Sequence, residues 1–295
     1  MGGACGKIIL FGEHAVVYGY PGIALPVKEI SINVRINQSN SFSYSADRKL
    51  YKEEKDRLNK LIDFLFFKLD IAKENLEINI ESTIPISSGL GSSAALSISL
   101  IRAISDHFHL DLEEEYINKL GFECEKFFHG TPSGIDNTVI TYEKPVYYKK
   151  GKVELLKIKN PLDFVIADSG IKANTKQVVS EVRKRYDKDR EKYSNIFQEI
   201  ALITSQAKPF LQESNITMIG ILMTQNHYLL KQLGVSNDKL DRMVEIALQA
   251  GAYGAKLAGS GKGGNIIAIV DDKVKDEVIK KLKKISKEVI YTVVE

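Results

Sequence analysis

The sequence predicts a two-domain protein of mixed helix and strand. Three observations carry this: short period-two segments in the first half, a block of long helical-period segments after residue 160, and a closing strand, helix and strand. A chain of 295 residues, 44% hydrophobic and 27% charged, is long enough for a large core and two domains. The boundary falls at Asn160-Pro161, giving domains 1–160 and 161–295.

In order along the chain, Lys7-Ile-Ile-Leu-Phe11 reads as a short buried strand. From Glu29 to Asn37, Ile30, Ile32, Val34 and Ile36 share one face of a half-buried strand, and Leu76 to Ile80 alternates likewise. Between them, Asp56 to Leu69 carries Leu58, Leu61, Ile62, Leu65 and Leu69 at helical spacing. Ala94 to Phe108 reads as a buried helix, and Glu113 to Phe128 as another, stopped by Gly130 and Pro132. Val146 to Leu156 forms a hairpin turning at Gly151, and Asp163 to Asp168 opens the second domain as a strand. Amphipathic helices are expected over 175–193, 194–210, 213–233 and 238–250, then a strand over 265–270, a helix over 274–286 and a strand over 289–294.

The formal net charge is +3, with 41 basic and 38 acidic residues interspersed, so no nucleic-acid footprint stands out. No apolar run approaches the roughly 20 residues that span a bilayer, and the N-terminal residues lack the pattern of a secretory leader. Cys5 and Cys124 have neither metal-type spacing nor a disulfide framework, which fits a reducing, cytoplasmic setting. His107, His109 and His227 read as ordinary helix residues.

Three glycine-rich stretches remain. Gly6-Lys7 and Gly261-Lys262 lack the rest of a Walker A loop. Gly259-Ser-Gly-Lys-Gly-Gly264 satisfies G-x-G-x-x-G, but it follows a helix and precedes a strand, the reverse of the dinucleotide order. Pro85-Ile-Ser-Ser-Gly-Leu-Gly-Ser-Ser-Ala-Ala-Leu96 instead enters a helix, whose N-terminal N–H groups and dipole favour an anion. Ser92 or Ser93 would cap that helix or ligate a metal. A plain capped helix after a loop is equally compatible with these residues. Asp136, in His129-Gly-Thr-Pro-Ser-Gly-Ile-Asp-Asn137, fits both a turn-capping carboxylate and a reactive one. Lys7, Glu13 and His14 flank an apolar strand, where they face solvent or line a cleft.

Taken together, Gly6 to Pro21, Pro85 to Ala95, His129 to Asn137 and Lys256 to Gly264 resemble, in order, the motifs of the GHMP small-molecule kinases, most closely the members that phosphorylate mevalonate. The resemblance implies an α+β fold in two lobes, the N-terminal one like domain 2 of ribosomal protein S5 and the C-terminal one ferredoxin-like. It implies ATP as co-substrate, Mg²⁺ held by Ser93 and Glu125, and Asp136 as acceptor of the substrate hydroxyl proton. Lys7 is then the electrostatic partner of Asp136 and of the moving γ-phosphoryl group. Glu13, His14 and Thr175 match positions around the acceptor substrate. Ser87, Ser88, Gly89, Leu90, Gly91, Ser92 and Ser93, with Gly259 and Ser260, match the phosphate contacts. The implied partners are mevalonate and ATP, with no nucleic acid and no membrane; a homodimer is allowed.

The last motif departs from the family pattern at Ala258, Ser260 and Lys262, where Thr, Ala and a small residue are usual, and Lys262 reads either as a phosphate contact or as a surface residue. Ala-Val-Val after His14 weakens a galactokinase reading. Phosphomevalonate kinase, homoserine kinase, diphosphomevalonate decarboxylase and a non-catalytic nucleotide-binding regulator are the other readings.

Overall fold

The computed structural model describes residues 1–85, 89–128 and 132–295. It divides into two compact units: Met1–Gly6, Ile30–Pro85 and Gly91–Glu143 form the first, and Lys7–Glu29, Ile86–Leu90 and Lys144–Glu295 the second. The chain passes between units within strands β1 (Gly2–Phe11) and β2 (Gly22–Gln38).

In the first unit the distal part of β2 buries Ile30, Ile32, Val34 and Ile36 on one face, as its period-two pattern requires. Strand β3 (Ser43–Ala46) pairs in parallel with β4 (Leu76–Ser82), and β4 runs antiparallel to β2 with Ile32 opposite Ser82 and Val34 opposite Ile80. Helix α1 (Lys52–Lys68) buries Leu58, Leu61, Ile62, Leu65 and Phe66. Helix α2 (Ser92–His107) is buried almost all round and packs against α3 (Glu114–Glu125) and α4 (Ile135–Tyr142). The Arg102 guanidinium donates to the carbonyls of Gly3 and Thr141, both at 2.7 Å, and to Glu143. These bonds tie β1, α2 and the end of α4 together.

In the second unit, Gly22–Ala24 of β2 pairs with β5 (Val146–Lys149), which turns through Lys150 and Gly151 into β6 (Lys152–Leu155). Both turn residues have positive φ, 50° and 80°, as a tight two-residue hairpin demands. A four-stranded antiparallel sheet follows in the order β10-β7-β9-β8, built from β7 (Leu162–Asp168), β8 (Gly254–Ala258), β9 (Asn265–Val270) and β10 (Glu288–Val294). Helices α5 (Thr175–Lys188), α6 (Arg190–Gln212), α7 (Ile216–Gln232), α8 (Asp238–Gln249) and α9 (Lys275–Lys283) complete it.

The expected elements form, with differences that have local causes. The first two helices of this unit part at Asp189 and not at Ser194, because the Asp189 carboxylate accepts from the Lys192 N–H and caps α6. Helix α7 starts at Ile216, since Asn215 accepts from the Met218 N–H. His109 lies beyond α2 in the left-handed region, φ 54°, and is not a helix residue.

Candidate active site

In the first unit Ser93 and Asp136 stand in first helical turns, and Glu125 at the end of α3. Gly91, at φ 82°, is the N-cap of α2, so Ser92 is the first helical residue and not the cap. Ser93, one position on, points its hydroxyl at Glu125 Oε2, 3.4 Å away at the end of α3. Glu125 is buried, 2% exposed. A hydroxyl and a carboxylate held this close form a hard-oxygen pair, the type that Mg²⁺ prefers. Asp136 occupies the first turn of α4, whose N-cap is Gly134 at φ 89°; the Ile135 N–H donates to the Ser133 hydroxyl. Thus α2 and α4 both begin from a left-handed glycine, with the electropositive end of each helix at the chain segments that the sequence motifs marked.

In the second unit, Lys7 is buried in β1, and its N–H donates to the carbonyl of Leu90 at 2.9 Å, tying the glycine-rich stretch, between its two glycines, to that strand. Gly89 has φ 77°. Ser87 and Ser88, expected phosphate contacts, lie outside the described residues, as does His129.

Glu13 and His14 follow β1 and differ in surroundings. The His14 ring is buried and its Nε2 lies 2.9 Å from the Ser260 carbonyl. A carbonyl only accepts, so Nε2 carries the proton. Burial, aided by the Arg185 charge, lowers the His14 pKa to about 4. The residue sits at φ 61°, a conformation costing about 1–3 kcal/mol for a residue with a side chain, and one that recurs at functional sites. Thr175 Oγ1, at the start of α5, is 3.2 Å from Ser260 Oγ, so His14, Ser260 and Thr175 meet.

Glu13, by contrast, is enclosed. Its Oε1 accepts from the Lys256 ammonium and its Oε2 from Asn226 Nδ2 at 3.1 Å; Glu13, Lys256 and Asn226 are all essentially inaccessible. Burial pushes the Glu13 carboxyl up and the Lys256 ammonium down, while the attraction between them opposes both shifts. Lys256 also donates to the Leu257 carbonyl at 2.7 Å.

The residues around this pair carried no functional reading in the sequence. Lys256 entered only as the first residue of the last motif, Lys256 to Gly264, with no role of its own. Asn226 and His227 were two adjacent polar residues on an apolar helix, α7, and both prove buried. Helix α7 lies backbone to backbone on β8: a Cβ added to Gly220 would fall 2.2 Å from the Tyr253 carbonyl oxygen. Only glycine permits that approach.

Beyond β8, the turn Gly259–Gly264 is anchored by the Lys262 N–H on the Val235 carbonyl (2.7 Å) and the Gly264 N–H on the Ile171 carbonyl (2.9 Å). The exposed Lys262 lays its ammonium on the Ser236 carbonyl at 3.1 Å. Among the described residues no helix is long and apolar enough to cross a membrane, and no cluster of three His, Cys, Asp or Glu side chains forms a metal cage.

Residues 56–144 match the model of the GHMP kinases N terminal domain, and residues 207–287 that of the GHMP kinases C terminal domain. The mevalonate kinase of Pyrococcus horikoshii is 35% identical over 289 residues, covering 89% of this chain and 86% of its own length. The chain belongs to the mevalonate kinase family of the GHMP kinases. The mevalonate kinase of Methanocaldococcus jannaschii is 36% identical over 302 residues and covers 94% of both chains. Among solved structures, L. major mevalonate kinase in complex with R-mevalonate matches with a TM-score of 0.90 at 30% identity, over 99% of this chain and 95% of that one. Membership of the mevalonate kinase family accounts for the α+β architecture and makes the protein a kinase that uses ATP.

Proposed function

We propose that the protein transfers the γ-phosphoryl group of ATP to the 5-hydroxyl of mevalonate, giving 5-phosphomevalonate and ADP. The observation that carries the acceptor assignment is the meeting of His14, Thr175 and Ser260 in a chain of this family. A partly buried group of one imidazole and two hydroxyls suits a small polar acceptor. The L. major relative is described with R-mevalonate bound.

In this reading the hydroxyl oxygen attacks the γ-phosphorus, its proton passes to Asp136, and ADP leaves. Phosphoryl transfer needs mainly positioning and charge neutralisation. Lys7 supplies positive charge as the phosphoryl group moves. The segment Ser87, Ser88, Gly89, Leu90, Gly91, Ser92 and Ser93 cradles phosphate at the N-terminus of α2, and Gly259 and Ser260 contribute further backbone contacts. Ser93 and Glu125 would hold Mg²⁺, which would supply charge neutralisation at the phosphate oxygens. Lys262, whose ammonium lies 3.1 Å from the Ser236 carbonyl, anchors the glycine turn.

The test is an ADP-release assay with Mg²⁺ and ATP over mevalonate, phosphomevalonate, galactose and homoserine. The expected result is fastest turnover on mevalonate. Absence of turnover on mevalonate would sink the assignment.

A further inference from the structure

Leu257, in β8, has both of its main-chain polar groups taken by side chains. Its carbonyl accepts from Lys256 Nζ at 2.7 Å, and its N–H donates to His227 Nδ1 at 3.2 Å. Strand β8 stands at the end of the sheet order, with β9 as its neighbour, so these side chains do what a further strand would do.

The opposite edge of the imidazole is also fixed. His227 Nε2 lies 3.2 Å from Asp241 Oδ1 on α8, and Asp241 is itself held by Lys231 at 2.9 Å and by the Ser236 hydroxyl. An Nδ1 that accepts leaves the proton on Nε2, where it is donated to the carboxylate. Neutral imidazole is the form this arrangement needs, and burial lowers the His227 pKa to about 4. The neighbouring residue on α7, Asn226, donates to Glu13. One turn of α7 therefore grips the buried Glu13 and the strand that carries its partner Lys256, while Glu13 directly precedes His14.

We infer that His227, locked in its Nε2–H form by Asp241, is a positioning residue for the acceptor substrate: it fixes β8 so that Lys256 and Glu13 hold His14 in place. The inference rests on the acceptor reading given above, with His14 as a substrate contact. The effect falls on the acceptor more than on ATP, because the turn after β8 has its own anchors on Val235 and Ile171. His227 touches no substrate in this scheme.

The test is steady-state kinetics on three variants, at a temperature well below unfolding. His227→Ala is expected to raise the KM for mevalonate about tenfold or more while the KM for ATP stays within about twofold. His227→Asn, whose side-chain oxygen can take the place of Nδ1, should recover most of the loss. Asp241→Ala leaves the ring in place but frees its tautomer, and is expected to raise the mevalonate KM about threefold.

Unchanged kinetics in His227→Ala, or equal impairment in the Ala and Asn variants, would overturn the inference. Should His227→Ala fail to fold, ¹⁵N histidine spectra of the wild type decide: Nε2–H is expected for the signal lost in His227→Asn, and an Nδ1–H or doubly protonated ring near pH 7 contradicts the scheme. A wild type that ignores mevalonate would instead refute the acceptor reading, and the spectra would still test the tautomer.

Discussion

The first unit carries Ser93 and Asp136 at the starts of two helices, whereas the second carries Glu13 within a network of buried charges. Ser93 and Asp136 sit in first helical turns behind left-handed glycines and owe their placement to a few local residues. Glu13, Lys256, Asn226 and His227 are held by one another across up to 243 positions of sequence. The difference is one of coupling. A helix-terminal group can be changed with modest cost to the fold, but a buried ion is balanced only by its partner. Function and stability should therefore separate in the first unit and travel together in the second.

The largest expected effect is on stability. Lys256→Met leaves the Glu13 carboxyl buried without its counter-charge and should cost about 3–5 kcal/mol in denaturant unfolding, most of it regained in the double variant Glu13→Gln, Lys256→Met. A loss below about 1 kcal/mol in the single variant would mean that the pair is not dry, and would break the contrast between the units.

Next in size, taken per residue, is a pH effect. His14 and His227 are lowered to about 4 when folded, against 6.5 for an ordinary imidazole. Between those values the unfolded chain binds protons that the folded chain refuses, so stability is complete above about pH 6.5, falls toward pH 4 and levels below it. Each histidine contributes about 3 kcal/mol to that fall. Urea midpoints measured from pH 7 to 4 should show it, with His14→Asn and His227→Asn each removing about one proton from the slope.

The third effect separates function from stability in the first unit. Asp136→Asn should lower turnover by about 10²-fold or more, near 2.7 kcal/mol in barrier height. Its unfolding free energy should shift by at most about 1 kcal/mol, the scale of one carboxylate at a helix N-terminus. Turnover near normal would remove Asp136 from the chemistry, and a large stability loss would erase the distinction drawn between the units.

Much of the fold was legible because local periodicity reports local burial. The alternation of Ile30, Ile32, Val34 and Ile36 and the helical spacing of Leu58, Leu61, Ile62 and Leu65 match the buried faces of β2 and α1. Strand β3, helix α4 and strand β8 were missed, each for a physical reason. Strand β3, Ser-Tyr-Ser-Ala, is half exposed and carries no apolar row. Helix α4 is rich in β-branched residues, which favour strands, and is helical because Ile135, Val139 and Ile140 are packed in the core. Strand β8, Gly-Ala-Lys-Leu-Ala, hides its burial behind small residues and a lysine.

By itself the sequence determined the order of the motifs, the candidate residues they contain and the family they point to. These are encoded within short stretches: glycines before a helix, an acid after a turn, a lysine beside an apolar run, although β1 begins five residues before Lys7. Only the tertiary structure decided that Glu13 is enclosed while His14 meets Thr175 and Ser260, and that His227 serves β8 where the sequence offered an ordinary helix residue. The reason is distance along the chain. A buried charge is defined by a partner more than two hundred residues away, and no local pattern can say which residue folding will bring to it.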